Sequence, residues 1–155
     1  MINVMFVCHG NICRSTMAEM VLKDMVRKNH LDSKFFIDSS ATSREEIGNG
    51  VHYGTRHKLA QLGIPCEDHR AKQLTRRDYT TFDFLIGMDS YNIRNMNRIT
   101  GGDPDNKIFM LLDFTERKGD SIADPWYTGN FDETYRDVKE GCEGFLKYLK
   151  EEGLY

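Results

Sequence analysis

Cys8 and Arg14 stand six residues apart in the stretch Cys8-His9-Gly10-Asn11-Ile12-Cys13-Arg14-Ser15. An ionised cysteine thiol is a nucleophile, and a guanidinium holds two oxygens of a phosphoryl group in its planar fork. An apolar run, residues 2–7, precedes the stretch, and apolar residues follow at Ala18, Val21, Leu22, Met25 and Val26, the spacing of one helix face. This reads as strand, tight loop, helix. A loop entering a helix amino terminus aims backbone N–H groups at one spot and binds phosphate there. With a thiol at its floor and a guanidinium at its rim, such a loop can bind a phosphate and attack it.

Each loop residue has a reading on these terms. Cys8 is the candidate nucleophile, since a helix amino terminus and a neighbouring arginine favour the thiolate. Arg14 is expected to grip phosphate in bidentate fashion, which a lysine could not do. His9, Gly10, Asn11, Ile12, Cys13 and Ser15 complete the cradle. Gly10 and Asn11 suit a turn that needs positive φ, and the Asn11 amide can also pin the loop. Ser15 is placed either to hydrogen-bond the Cys8 sulfur or to cap the helix. Thr16 with Glu19 also fits a capping box, which leaves the helix start open.

The rest of the chain supplies the frame. Strands are predicted at residues 2–7, 35–37, 84–88 and 108–112, and helices at about 16–28, 53–62, 90–99 and over the apolar face from Phe131 to Leu149. Gly63 and Gly101 follow two of these helices as C-cap residues. Alternating strands and helices imply an α/β fold, a parallel sheet with helices on both faces. Ligands in such sheets sit at the carboxyl ends of the strands, where the cysteine loop lies. Residues 42–52 and 101–106 are expected to be the least ordered.

The 155 residues, without a break in composition, predict a single domain over 1–155. A net charge of −3 argues against a general nucleic-acid surface. No apolar run approaches the roughly 20 residues of a membrane span. The amino terminus lacks the basic segment of a secretory signal, so a cytoplasmic location is expected. The four cysteines are too few for a disulfide framework in a chain this long, and the five histidines show no metal-ligand spacing, so no metal or other cofactor is expected.

The loop, together with Asp124-Pro125-Trp126-Tyr127, Asp38-Ser39-Ser40-Ala41-Thr42-Ser43 and Asp68-His69-Arg70-Ala71-Lys72-Gln73, resembles the low-molecular-weight protein tyrosine phosphatases over essentially the whole chain. The resemblance implies a three-layer α/β/α fold with a four-stranded parallel sheet, and hydrolysis of phosphotyrosine through a phosphocysteine on Cys8. It implies that Asp124 is the general acid, with Pro125 biasing it away from helical geometry. Trp126 and Tyr127 become pocket walls, and Ser39 and His69 support the loop through hydrogen bonds. Cys13 becomes the redox partner of Cys8 in a reversible disulfide. Phosphotyrosine proteins are the implied partners, with inorganic phosphate or other oxyanions as ligands, for a monomer or weak homodimer. Cys142, on the apolar face of the last helix, reads as core.

Three positions depart from the family pattern. Glu45 stands on the pocket rim where an aromatic residue is usual, and is expected to repel acidic substrates. His9 replaces an apolar residue and is expected to favour anionic groups. Thr16 replaces a proline. Related protein-arginine phosphatases tend to carry threonine where this chain has Ile12, and an apolar Ile12 suits a phenyl ring better than a guanidinium. Arsenate reductases of similar fold need further paired cysteines, whereas Cys66 and Cys142 lie far apart in sequence.

Overall fold

The computed structural model describes all residues, Met1–Tyr155. Strands β1 (Ile2–Cys8), β2 (Phe35–Ala41), β3 (Phe84–Gly87) and β4 (Ile108–Met110) form one wholly parallel sheet in the order β2-β1-β3-β4. The central strand explains its own uninterrupted apolar sequence. Side chains alternate between the two faces of a strand, and here both faces are covered. Val4, Phe6 and Cys8 enter the larger core, shared with α1 (Arg14–Lys28) and the last helix, α6 (Phe131–Glu151). Met5 and Val7 enter a smaller core with Tyr79 of α3 (Arg76–Thr81) and Met96 of α4 (Ser90–Thr100). The expected three layers are therefore present, and α2 (Tyr53–Gln61) lies beside α1 and α6.

Several boundaries move for identifiable reasons. β2 runs on through the polar residues Asp38-Ser39-Ser40 to Ala41, because Ser39 and Ser40 are buried between neighbours rather than solvated. The fourth strand stops at Met110, where a 3-10 turn, Leu111–Phe114, follows and Asp113 Oδ2 accepts the Met110 N–H. The Thr16–Glu19 capping box does not form. The helix starts at Arg14 with no side-chain cap, the Thr16 hydroxyl donates to the Cys13 carbonyl (2.9 Å), and Glu19 turns towards Ser39. Two short helices were not foreseen. One is α3, announced by a true capping box of Thr75 and Asp78, and the other is α5 (Pro125–Thr128), with Asp124 as N-cap and proline at its first position.

Residues 42–52 and 101–106 are irregular yet pinned. Ser43 N–H donates to His9 O, Gly48 N–H to Ala71 O and His52 N–H to Ile12 O. Asp103 accepts from the Tyr79 hydroxyl and from Lys107 N–H. Gly87 ends β3 for a steric reason: a Cβ there would lie 3.0 Å from Met96 Sδ and 3.1 Å from Asn92 and Ile93, so the absent side chain lets α4 cross close to the sheet. That approach brings Asp89, the N-cap of α4, up to the end of β1.

Candidate active site

Around the loop between β1 and α1, four carbonyls are anchored by hydrogen-bond donors. Cys8 O accepts from Thr42 N–H, His9 O from Ser43 N–H, Ile12 O from His52 N–H (2.8 Å), and Cys13 O from Met17 N–H and the Thr55 hydroxyl. The opposite peptide edge faces in. No protein acceptor takes the amides of Gly10, Ile12 or Cys13. Free amides gathered on one side of an anchored loop suit an anion. The positive φ falls on Asn11 (61°) and not on Gly10. Gly10 meets a different constraint, since a Cβ would touch Glu46 Cγ at 3.4 Å.

Asn11 is fully buried and organises the site. Its Nδ2 donates to Ser15 Oγ (2.8 Å) and Ser39 Oγ (2.9 Å), and its Oδ1 accepts from Lys72 N–H (3.2 Å) and from His69 Nε2 (2.8 Å). Every donor and acceptor of the amide is thus engaged, which sets the direction of the whole network. Ser39 accepts from Asn11 and so sends its proton to the buried Glu19 carboxylate (2.5 Å). Ser15 also accepts from Asn11, so its proton points at Cys8 Sγ, 3.0 Å away. The Asn11 backbone N–H reaches the same sulfur at 3.3 Å. Ser15 therefore serves the sulfur, and the N-cap alternative does not hold. Ser39 and His69 both hydrogen-bond the Asn11 side chain.

Arg14 is 3 % exposed, and its guanidinium is shared between two carboxylates. Nη1 donates to Asp89 Oδ2 (2.8 Å) and Ile122 O (3.2 Å), and Nη2 lies 3.3 Å from Asp124 Oδ2. Burial works against its charge, but Cys8, Asp124 and Asp89 outweigh burial and hold its pKa above the ordinary arginine value. The other Asp124 oxygen accepts from Trp126 N–H (3.0 Å), so the carboxylate is fixed by the helix it caps. Cys8, Ile12, Arg14, Asp124, Trp126 and Tyr127 line one cleft of about 750 Å³, with Glu45 and Tyr91 at its sides. Trp126 and Tyr127 are largely exposed, as walls of an open cleft are.

The four cysteines are free thiols with different surroundings. Burial pushes the Cys13 thiol up to about 12, reinforced by Cys8 and Asp124. Cys13 therefore stays protonated near neutrality. Cys142 is core, as expected, and full burial raises its pKa further. His9 and Glu45 do not act as separate rim charges: His9 Nε2 and Glu45 Oε2 are 2.8 Å apart and form one pair.

Sequence reasoning missed Asp89, which looks like an ordinary N-cap until the topology sets it beside Arg14. It also missed Glu19, whose place in an apparent capping box hid its role under the loop. One juxtaposition has no counterpart in the sequence spacing: Glu19, Asp38 and His69 bring three potential metal-ligand atoms within 4.8 Å of one another. Lys23 pairs with Glu19 and Lys72 with Asp38, and His69 Nε2 is engaged by Asn11, so the protein's own groups occupy this cluster.

The fold and the site together define a small α/β phosphatase with a thiol, a guanidinium and a carboxylate in one cleft. The family model of the low molecular weight phosphotyrosine protein phosphatases matches residues 3–154. The low molecular weight protein-tyrosine-phosphatase YfkJ of Bacillus subtilis is 39% identical over 98% of each chain, and its crystal structure superposes with a TM-score of 0.93 over 98% of this chain and 96% of that one. The human low molecular weight phosphotyrosine protein phosphatase is 36% identical over 94% of each chain. The structure of the Streptococcus pyogenes enzyme is 42% identical, with a TM-score of 0.85 over 96% of this chain and 93% of that one. The chain belongs to the low molecular weight phosphotyrosine protein phosphatase family and is a protein-tyrosine-phosphatase.

Proposed function

We propose that Cys8, Arg14 and Asp124 carry out a two-step hydrolysis of phosphotyrosine. The Cys8 thiolate, held by the Ser15 hydroxyl and the Asn11 amide, attacks phosphorus. The S–P bond forms as the bond to the tyrosyl oxygen breaks, and Asp124 gives that oxygen its proton. Asp124 then takes a proton from a water, whose oxygen bonds to phosphorus as the S–P bond breaks, releasing phosphate and the thiolate. The loop amides and the Arg14 fork meet the charge on the equatorial oxygens. Asp89 is a positioning residue that sets the guanidinium in plane.

The observation that carries this reading is the convergence of Cys8, Arg14 and Asp124, from three distant parts of the chain, on one cleft. The apolar wall of Ile12 and the rings of Tyr91, Trp126 and Tyr127 suit an aryl ester rather than a phosphorylated guanidinium. Phosphotyrosine proteins are accordingly the proposed partners. No helix is long and apolar enough to cross a membrane.

The test is steady-state hydrolysis of p-nitrophenyl phosphate against pH, with EDTA and reductant, for wild type, Cys8→Ser and Asp124→Ala. Phosphotyrosine and phosphoarginine peptides follow. The expected result is no turnover in Cys8→Ser, a loss of about 10²–10³-fold in Asp124→Ala, and preference for phosphotyrosine. Full activity of Cys8→Ser, or loss of wild-type activity to EDTA with recovery on adding a divalent ion, overturns the mechanism.

A further inference from the structure

His52 touches both halves of the site without lining the cleft. Its backbone N–H holds the Ile12 carbonyl at 2.8 Å, which fixes one peptide of the phosphate loop. Its ring lies edge-on to Trp126, with centroids 6.1 Å apart and planes at 75°. On another side the same ring stacks on Phe131, at 5.5 Å and 17°. Trp126 lies within the short helix α5 that Asp124 caps, and Phe131 opens α6 just beyond it. A Cβ on Gly54 would fall 2.2 Å from the Phe131 ring, so glycine at this position makes room for the stack. The ring also has a fixed protonation pattern: Nδ1 accepts the Gly54 N–H (3.0 Å), capping α2, so Nδ1 carries no proton in this arrangement.

We propose that the neutral imidazole of His52 is a clamp that holds the Asp124-bearing segment against the phosphate loop, making His52 a positioning residue for the general acid. Aromatic edge-to-face and stacked pairs of this geometry favour a defined placement of the groups they join. Misplacement of a general acid by about an ångström is costly, because proton transfer needs hydrogen-bond reach to the leaving oxygen. Protonation of Nδ1 removes the acceptor for Gly54 N–H, so the ring loses the bond that fixes its plane between Trp126 and Phe131. The clamp therefore loosens in acid. The charged and titratable groups on the surrounding elements are Asp124 and Tyr127 beside Trp126, Cys8, His9, Cys13 and Arg14 on the phosphate loop, Tyr53, Arg56, His57 and Lys58 on α2, and Asp132 beside Phe131. Arg56 is engaged by Val51 O, Lys58 and Asp132 pair with each other, and His57 stacks on Tyr53.

This inference rests on the reading of Asp124 as the general acid, so the experiment includes Asp124→Asn as a reference. Trp126 is the only tryptophan, so all indole emission comes from the ring that meets His52, and a protonated imidazole quenches excited indole. The kinetic assay compares kcat/KM for phenyl phosphate, a poor leaving group that needs the acid, with p-nitrophenyl phosphate, which needs it less. His52→Asn keeps a cap residue and the backbone bond to Ile12 but removes the ring. It is expected to lose about tenfold on phenyl phosphate and less than threefold on p-nitrophenyl phosphate, with unchanged inhibition by inorganic phosphate. His52→Phe, which restores a ring, is expected to recover the wild-type ratio. Wild-type emission falls as the solution is acidified, and neither variant shows that fall. Equal losses on both esters in His52→Asn, or an unchanged pH response of emission, overturn the proposal. Should His52→Asn fail to fold, His52→Phe alone decides: a wild-type ester ratio with no pH response supports the clamp, and a retained response refutes it. If Asp124→Asn itself shows no dependence on the leaving group, the general-acid assignment fails rather than the clamp.

Discussion

Asn11→Asp is nearly isosteric, keeps a residue type that tolerates positive φ, and reverses one polarity in the buried network. The Nδ2 group that donates to Ser15 and Ser39 becomes a carboxylate oxygen that only accepts. Ser15 has a single proton, now aimed at Cys8 Sγ 3.0 Å away. With a carboxylate 2.8 Å from its oxygen, that proton turns to the carboxylate, and the sulfur loses its hydroxyl donor. A hydrogen bond to an ionised group is worth about 1.5–3 kcal/mol, so losing one of about 2 kcal/mol shifts the thiolate–thiol balance roughly thirtyfold towards the thiol. The added negative charge acts in the same direction. The assay is the rate of Cys8 alkylation by iodoacetamide as a function of pH. The half-point of the profile should move up by about 1.5 pH units. Ser15→Ala should move it in the same direction, and the double variant should fall short of the sum of the two, because both act through one proton. An unmoved profile in Asn11→Asp, or full additivity with Ser15→Ala, would refute the assigned direction of the network.

Asp89→Asn keeps the shape beside Arg14 but removes a charge-assisted bond, and the competitive inhibition constant of inorganic phosphate should rise about tenfold; isothermal titration with phosphate checks it. Cys13 titrates near 12 in the folded chain against 9.0 ordinarily, so the fold favours its neutral thiol. Stability from this source is complete below about pH 9 and is lost as pH rises towards 12. The melting temperature of wild type should therefore drop more steeply above pH 9 than that of Cys13→Ala, and parallel curves would contradict the burial argument. Glu45→Gln releases His9 from its pair and removes a rim carboxylate, so kcat/KM for phosphotyrosine peptides with acidic flanks should rise about threefold, measured against peptides with neutral flanks.

Local pattern carried much of this molecule. An apolar run covered on both faces, a cysteine and an arginine six apart, and helical spacing behind them are properties of contiguous residues, and their geometry follows from short-range backbone physics. The strand–loop–helix unit, the α/β class and the candidate nucleophile were legible for that reason, whereas the Asp124-Pro125 segment stood out through the resemblance. The polar end of β2 was not legible, because Ser39 and Ser40 belong in a strand only once partners bury them. Glu19 presents a capping pattern in the sequence, yet in the fold it ends a chain of hydrogen bonds that reaches the sulfur through Ser39, Asn11 and Ser15. Asp89 and His52 carry no mark at all in their own neighbourhoods. The first acquires its role because α4 crosses close over Gly87, the second because α2 and α6 converge on the same side of the phosphate loop. The chemical groups and their loop were thus determined by the order of residues. Which proton points at the sulfur, and what holds the guanidinium and the acid in place, was decided by packing between segments dozens of residues apart, because a hydrogen bond's direction depends on every partner its atoms meet.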